Sequence, residues 1–596
     1  MATPYQLAWI AEYHGPNPFA SGPIVCARLS GTVAVDKAAL RSAFQSVNQH
    51  YPFMAADPLP LDCPEDQAPL LVLGTAAARF AKAVLNEVRG HIEHHGASLS
   101  QDDCRLWVGF HAPEVSRLAV KLGLDIIGFH MGQAKPNADI KAALQKMFAL
   151  CQKFHPDFQA RILMLGAQAR NVPFLPFLHG TRYVQFGWGA RSVVFFETSS
   201  NEDGALGTQW QRDKVLAKTM MAALGLPVAP HVIVQAETDL PRAAQTIGFP
   251  CVVKPPASGR GQGVTAAIKN TADLHAAFAY ARRYATAGVL VERHVDGHDY
   301  RLTVVRGRLV AAVRREASAV VGDGIRTVRA LVAALNAGRC ENLVRSRYLK
   351  PVPLDAVLDA HLQKQGVALD MVLAQGQRIS LRSNANRSTG GVACDVTPEV
   401  HPAIRMMAEQ LALTSGLAVV GIDYLAADIS AAPQPGLGAF IEINATPGLS
   451  VCVAAGCSEA ALGAEVLGPV PDRIPVSLAI VAPDQVDRLQ DHLRSLQLQE
   501  GHGWVCGNEV QIGAVHASAF SSPPWEAVRT ALRNRSLRRL EIHATPAELV
   551  AHGLPIDRLD MVTMMTPDMP PAWHDVLRAH ADALVDAIPP SVEARC

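Results

Sequence analysis

Glu442-Ile443-Asn444 sets the first constraint on how this protein can fold. A carboxylate and an amide two residues apart face the same way along a β-strand, where side chains alternate with period two. So placed, they grip one hard cation together, and Mg²⁺ carrying nucleotide phosphates takes such oxygen ligands. Upstream, Arg382-Ser-Asn-Ala-Asn-Arg-Ser-Thr-Gly-Gly391 is a polar loop ended by glycines. Its backbone N–H groups and small hydroxyls suit an anion such as a carboxylate or acyl phosphate. With Pro447-Gly448 behind them, the two stretches predict an ATP-using ligase site on a mixed α/β frame.

The rest of the sequence is too long to close around one core: 596 residues, at about 100 to 200 residues per domain, predict a multidomain protein. Lys plus Arg equals Asp plus Glu at 54 each, so the global charge favours neither nucleic acid nor a membrane surface. No basic leader precedes an apolar run, and no stretch approaches the roughly 18 apolar residues of a membrane span. A cytoplasmic protein is the expectation. The 11 cysteines form no Cys-x-x-Cys pair, which argues against a disulfide framework or structural zinc and for small buried apolar residues.

Early in the sequence, a short strand over Ile24 to Leu29 and a helix over Asp139 to Phe154 are predicted, with no phosphate loop. From residue 190 the pattern becomes strand (Ser192 to Glu197), polar loop, then a helix with Lys214 and Lys218, ended by Leu226-Pro-Val-Ala-Pro230 because proline cannot continue a helix. A strand then delivers Lys254 to a loop with Gly259, Gly261 and Gly263, and the next strand ends in Glu292. Three alternate glycines let backbone approach phosphates closely, and the flanking strands suggest a small lid over a nucleotide. Alternating apolar runs between Arg301 and Val313 predict a hairpin turning at Arg306-Gly307-Arg308, with Arg314 and Arg315 directly after its second strand.

Residues 155 to 450 resemble the ATP-grasp part of the cyanophycin synthetase family. The resemblance is carried by Arg170-Asn-Val-Pro173, Gln185-Phe-Gly-Trp-Gly189, Gly297-His-Asp-Tyr-Arg301-Leu, Val320-Val-Gly-Asp-Gly324, Asn384-Ala-Asn-Arg-Ser-Thr-Gly-Gly391 and His401-Pro402, and more thinly by Gly15-Pro16-Asn17. It implies an α/β multidomain protein: an N-terminal α+β domain (1–160), an ATP-grasp catalytic domain (161–465, lid about 255–330) and a shortened Mur-ligase-like α/β remnant (466–596). It also implies ATP and Mg²⁺, and activation of the C-terminal backbone carboxylate of a polymer as an acyl phosphate that an amine attacks. In such a site Lys214, Lys254, Gly259, Gly261, Gly263, Glu292 and Arg301 would hold the nucleotide, and Asp423, Glu442 and Asn444 the metal. Arg382, Asn386, Ser388 and Thr389 would serve the reaction, and Arg314, Arg315, Gly390 and Gly391 the peptide substrate. The plainer readings stand beside these: two adjacent arginines at a solvated strand end, of which strand alternation turns one inward; a surface lysine at 254; and a capping turn at Asn386, Ser388 and Thr389.

Family members continue into a Mur-ligase-like domain whose phosphate loop follows a strand like Arg473 to Ala482. Here Pro483-Asp-Gln-Val-Asp-Arg488 takes the loop's place, without the glycines to wrap a triphosphate or the lysine and hydroxyl to meet it. Gly507-Asn-Glu-Val-Gln-Ile-Gly513 and Leu559-Asp-Met-Val562 resemble that domain faintly. A single ATP site cannot both build an aspartate backbone and decorate it, so the resemblance points to joining ready-made β-Asp-Arg dipeptides into cyanophycin, as the family's second type does, in a homodimer or homotetramer. The alternatives are an ATP-grasp ligase for another amino acid or dipeptide, and a non-catalytic cyanophycin-binding partner of a full-length synthetase. The family's His-x-x-Glu-His segment reads His91-Ile-Glu-His-His95, with the glutamate one position early. On a helix, His91 and His95 at i, i+4 would share a metal or merely form a polar face.

Overall fold

The computed structural model describes residues 5–31, 37–64, 66–100, 103–132, 137–178, 180–257, 262–285, 287–341, 350–382, 385, 390–434, 436–518 and 525–587. The fold is mixed α/β, and its contacts divide it into two units: residues 1–161, 171–194 and 469–596 in one, residues 162–170 and 195–468 in the other. The first and last stretches of the sequence therefore share a unit.

In that first unit, the N-terminal part is a four-stranded antiparallel sheet in the order Gln6–Tyr13, Ile24–Ser30, Asp103–Gly109, His95–Ser100. Helix Pro69–Glu87 is apolar on nearly every face and packs on both this sheet and helix Pro113–His130, as a helix without a polar side must. Phe44, Phe80, Leu106 and Ile127 are fully buried between the layers. The predicted early elements are present as strand Ile24–Ser30 and helix Asn137–Phe154.

The C-terminal part is a seven-stranded sheet in the order Val515–Ser518, Glu509–Ile512, His502–Cys506, Arg539–Ala544, Val476–Ile480, Leu559–Met564, Ala581–Asp586. The last five run parallel. Register places Leu540, Ile542, Ile480 and Val562 on one face, where all four are fully buried, whereas Arg539, Glu541 and Met561 on the other face are exposed. The strand expected to enter a phosphate loop is Val476–Ile480; a one-turn helix Pro483–Gln485 and helix Val486–Ser495 follow it directly.

Two of the stretches that carry the resemblance join this unit together. Trp188 N–H donates to Asp472 O at 2.9 Å, Ala190 N–H to Leu537 O at 2.7 Å and Gln185 Nε2 to Leu532 O at 2.8 Å. A Cβ on Gly189 would lie 2.3 Å from Leu537 O, so glycine is required by close approach. His14 N–H donates to His552 O and Leu554 N–H to Pro16 O, both at 2.8 Å, while buried Asn17 bonds Gly15 O and Gly22 O.

The expected helix through His91 and His95 is corrected. Residues 91–94 carry no helix and His95 opens a strand. Asn86 bonds both the N–H and the carbonyl of Ile92, and Arg89 and His91 take positive φ values of 58° and 49°, so the backbone turns where a helix would have to continue. No group of three or more His, Cys, Asp or Glu suited to a metal exists among the described residues, and no described helix is long and apolar enough to cross a membrane. The described cysteines are unpaired, most of them buried.

The second unit carries two main sheets. The smaller is antiparallel, in the order Thr265–Ile268, Cys251–Lys254, Val289–Arg293, His231–Val234. It occupies 231–293. The larger has five strands in the order Val392–Asp395, Arg308–Glu316, His298–Val305, Val419–Ala426, Gly438–Asn444. Its central hairpin turns at Arg306-Gly307, both at positive φ (49° and 77°), the two-residue geometry that matches strand twist. Arg314 and Arg315 lie inside the second strand, where the sequence placed them just after it.

Candidate active site

Antiparallel register explains why charges collect on one face of the five-stranded sheet. Asp299 pairs with Arg315, Arg301 with Asp423, and Asp423 with Glu442. Directly opposed residues share a face, so four strands contribute to one continuous ionic row. Arg301 Nε meets Asp423 Oδ1 at 2.6 Å; Arg315 meets Asp299 Oδ1 at 2.6 Å and Asp423 Oδ2 at 3.1 Å. Arg314, one residue off, turns to the other face and pairs with Glu316 at 2.8 Å, so strand alternation does turn a single arginine of the pair into the row.

Glu442 and Asn444 share a face as expected, Asn444 Nδ2 lying 3.3 Å from Gly421 O and 3.5 Å from Glu442 Oε1. Burial and the neighbouring Asp423 push the Glu442 carboxyl above its usual range, against the pull of Lys214 and Lys254. Burial acts on Asp423 too, but the guanidiniums of Arg301 and Arg315 outweigh it and hold that carboxyl low. The donor set is one of oxygens, and a hard cation at Glu442 would relieve its repulsion with Asp423, so these residues fit Mg²⁺. Glu442 and the Asn444 amide oxygen fit it best, because both Asp423 oxygens already hold guanidiniums.

A second cluster stands on the smaller sheet. Strands Cys251–Lys254 and Val289–Arg293 pair Val252 with Glu292, and the Glu292 carboxylate receives Lys254 Nζ at 2.5 Å and Lys218 Nζ at 2.9 Å. All three are almost wholly buried. Burial would lift the Glu292 carboxyl, yet the two ammonium groups hold it below its usual range. Glu292, placed by the sequence at the nucleotide, thus has both oxygens on lysines; it aims them. Lys218 is the residue that sequence reasoning left unassigned, although its position one helical turn after Lys214 was visible.

Lys214 links the two clusters. Asp213 caps its helix by accepting from Val215 N–H and Leu216 N–H, as N-cap aspartates do, and Lys214 N–H donates to Pro256 O at 3.2 Å. Burial lowers its pKa, and the charges of Glu442, Lys254 and Glu292 all act on it. Gly263, at φ 73°, has no room for a side chain, since a Cβ would lie 2.7 Å from Pro255 Cγ. Gly259 and Gly261 lie outside the described residues, as do Asn386, Ser388 and Thr389.

Arg382 is buried, its guanidinium donating to Pro353 O at 2.7 Å and pairing with Asp355 at 2.9 Å. Gly390, at φ 88°, packs where a Cβ would fall 2.7 Å from Val352 and 2.8 Å from Arg339, its carbonyl accepting from the Ser318 hydroxyl; Gly391 follows it into strand Val392–Asp395. Asp299 is the other contributor that sequence reasoning missed. Its alternation with Arg301 was the available signal.

Residues 213–321 match the family model described as carbamoyl-phosphate synthase L chain, ATP binding domain. Cyanophycin synthetase of Crocosphaera subtropica is 33% identical over 314 residues, 36% of that protein and 52% of this chain. The Synechocystis sp. enzyme is 28% identical over 412 residues, 47% of that protein and 67% of this chain. The alignments thus span less than half the length of these two relatives. Among solved structures, a bifunctional glutathione synthetase from Pasteurella multocida aligns over 51% of its own length and 60% of this chain, at 23% identity and a TM-score of 0.43.

Proposed function

We propose that this protein is an ATP-dependent peptide ligase that polymerises β-Asp-Arg dipeptides into cyanophycin through an acyl phosphate on the C-terminal carboxylate of the polymer backbone. The observation that carries the reading is the ionic row from Arg315 to Glu442, adjoining the Lys218–Glu292–Lys254 cluster, in a protein similar to cyanophycin synthetases. Lys254 and Lys214 bring positive charge to the nucleotide phosphates, and Glu292 holds Lys254 in place at 2.5 Å. Arg315, steadied by Asp299 and Asp423, receives the substrate carboxylate as a planar fork. A carboxylate oxygen attacks the γ-phosphorus and ADP leaves; the neutral amine of the next dipeptide attacks the acyl carbon, phosphate leaves, and one proton is released. Mg²⁺, when bound at Glu442 and Asn444, supplies screening of phosphate charge.

The dipeptide assignment is supported by Pro483–Arg488, where a second ATP site would need a glycine loop; residues 466–596 enter this reading as a remnant without that activity. Mass spectrometry of products made with ATP from β-Asp-Arg, from β-Asp-Lys, or from free Asp and Arg separates the readings. The expected result is a ladder spaced by one β-Asp-Arg unit, formed from that dipeptide. ATP turnover that needs free aspartate instead overturns it.

A further inference from the structure

The C-terminal sheet holds a cavity that the ligase chemistry does not use. Its volume is about 130 Å³, and Val481, Val486, Cys506, His543, Thr545 and Glu548 are among its walls. Each wall follows or ends a parallel strand at its carboxyl end: Val476–Ile480, His502–Cys506 and Arg539–Ala544. The backbone leaves Val476–Ile480 toward His502–Cys506 on one side of the sheet order, and leaves Arg539–Ala544 toward Leu559–Met564 on the other. The cavity therefore opens where the winding direction reverses, the place at which open α/β sheets form ligand crevices.

A second observation is independent of topology. His543 is 6% exposed, and neither ring nitrogen has a hydrogen-bond partner among the described residues; Glu541 Oε1 lies 3.5 Å from Nε2, an ion pair only when the ring is protonated. Buried polar atoms are satisfied in the great majority of cases, so a bare imidazole in a cavity wall marks a missing partner. Burial keeps this ring neutral, against the pull of Glu541, and lifts the Cys506 thiol to about 11. Glu548 is the charged wall. It closes a capping box in which Oε2 accepts from both the N–H and the hydroxyl of Thr545 at 2.8 Å, and no described hydrogen bond engages Oε1.

We propose that this cavity binds the head of a small organic cation, a guanidinium or a primary ammonium, through His543 and Glu548. One carboxylate, a neutral imidazole with a free acceptor, a neutral thiol and two valines attract an N–H-rich cation and repel anions. None of these lining residues is cationic, and Cys506, His543 and Glu548 do not come together as a group suited to a metal ion among the described residues. A cavity of about 150 Å³ accepts benzene; a guanidinium or ammonium head is smaller than benzene, and about 130 Å³ leaves room for it. The proposal does not depend on what the other unit catalyses.

Calorimetry on the full-length protein tests it, with agmatine as probe, L-arginine and an arginine-bearing soluble peptide as separate arms to distinguish a free ligand from a polymer side chain, and inorganic phosphate as the anion. Agmatine is expected to saturate one site that His543→Phe and Glu548→Gln each weaken by about tenfold or more, while ADP binding, measured in parallel, is unchanged. Glutamine at 548 keeps the capping box, so this variant decides the question even if His543→Phe folds poorly. Absence of agmatine binding up to about 10 mM, equal affinity in Glu548→Gln and parent, or phosphate binding at the same site overturns it.

Discussion

The five-stranded sheet of one unit and the seven-stranded sheet of the other bury opposite chemistry. In the first, strand register lines up Arg315, Asp299, Arg301, Asp423 and Glu442 on a single face; in the second, Leu540, Ile542, Ile480 and Val562 fill the equivalent depth. Buried charges cost several kcal/mol per ion unless paired with good geometry, so an ionic row survives only where each member holds its neighbour. Apolar strands face no such demand, and their packing contributes stability without chemistry. Substitutions in the two sheets should therefore fail in different ways.

The largest effect is expected at Lys254. Lys254→Ala should lower kcat/KM by about 100-fold or more and, by leaving Glu292 with a single lysine, reduce stability by about 3 kcal/mol; ATP-dependent phosphate release and thermal unfolding read the two losses. Activity at the parental level would remove this cluster from the chemistry. Leu540→Ala in the other sheet should cost about 2–5 kcal/mol, seen in denaturant unfolding, with the KM for ATP unchanged. A shift in that KM would break the contrast.

Glu442→Gln should raise the Mg²⁺ concentration for half-maximal rate by about tenfold or more. Its carboxyl is raised in the folded state, so its ionisation opposes folding above the ordinary carboxylate range and that penalty is lost at lower pH. Without Mg²⁺, the variant should be more stable than the parent at neutral pH, with the gain fading as pH falls from above the ordinary carboxylate range into it and gone below it; unfolding curves across pH check the sign. Among the arginines, Arg315→Ala should raise the KM for the peptide substrate by about tenfold with less change for ATP. Arg314→Ala, which removes a partly exposed pair with Glu316, should change stability by less than about 1 kcal/mol. Equal kinetic effects of the two would undo the assignment of faces.

Much of this was legible from spacing. Glu442 and Asn444 share a face, Arg314 and Arg315 do not, and the Arg306-Gly307 turn makes its hairpin, because strand alternation and positive φ are local rules. His91 to His95 was misread because Asn86 reaches across a turn to bond Ile92, a contact no helical period contains. Lys218 and Asp299 were missed because their roles depend on partners 74 and 124 positions away in the sequence, Glu292 and Asp423, with Arg315 as the link in the second case.

The sequence alone determined which residue types could meet an anion or a hard cation, and that no glycine loop follows Val476–Ile480, since such features lie within a few consecutive residues. Only the tertiary structure decided that Gln185 to Gly189 serves packing against Asp472 and Leu537, that Glu292 aims lysines, and that the His543 ring is buried with no hydrogen-bond partner among the described residues. Pairing across strands and burial are set by how distant segments come together, and a linear pattern does not encode which of its charges will be left facing another.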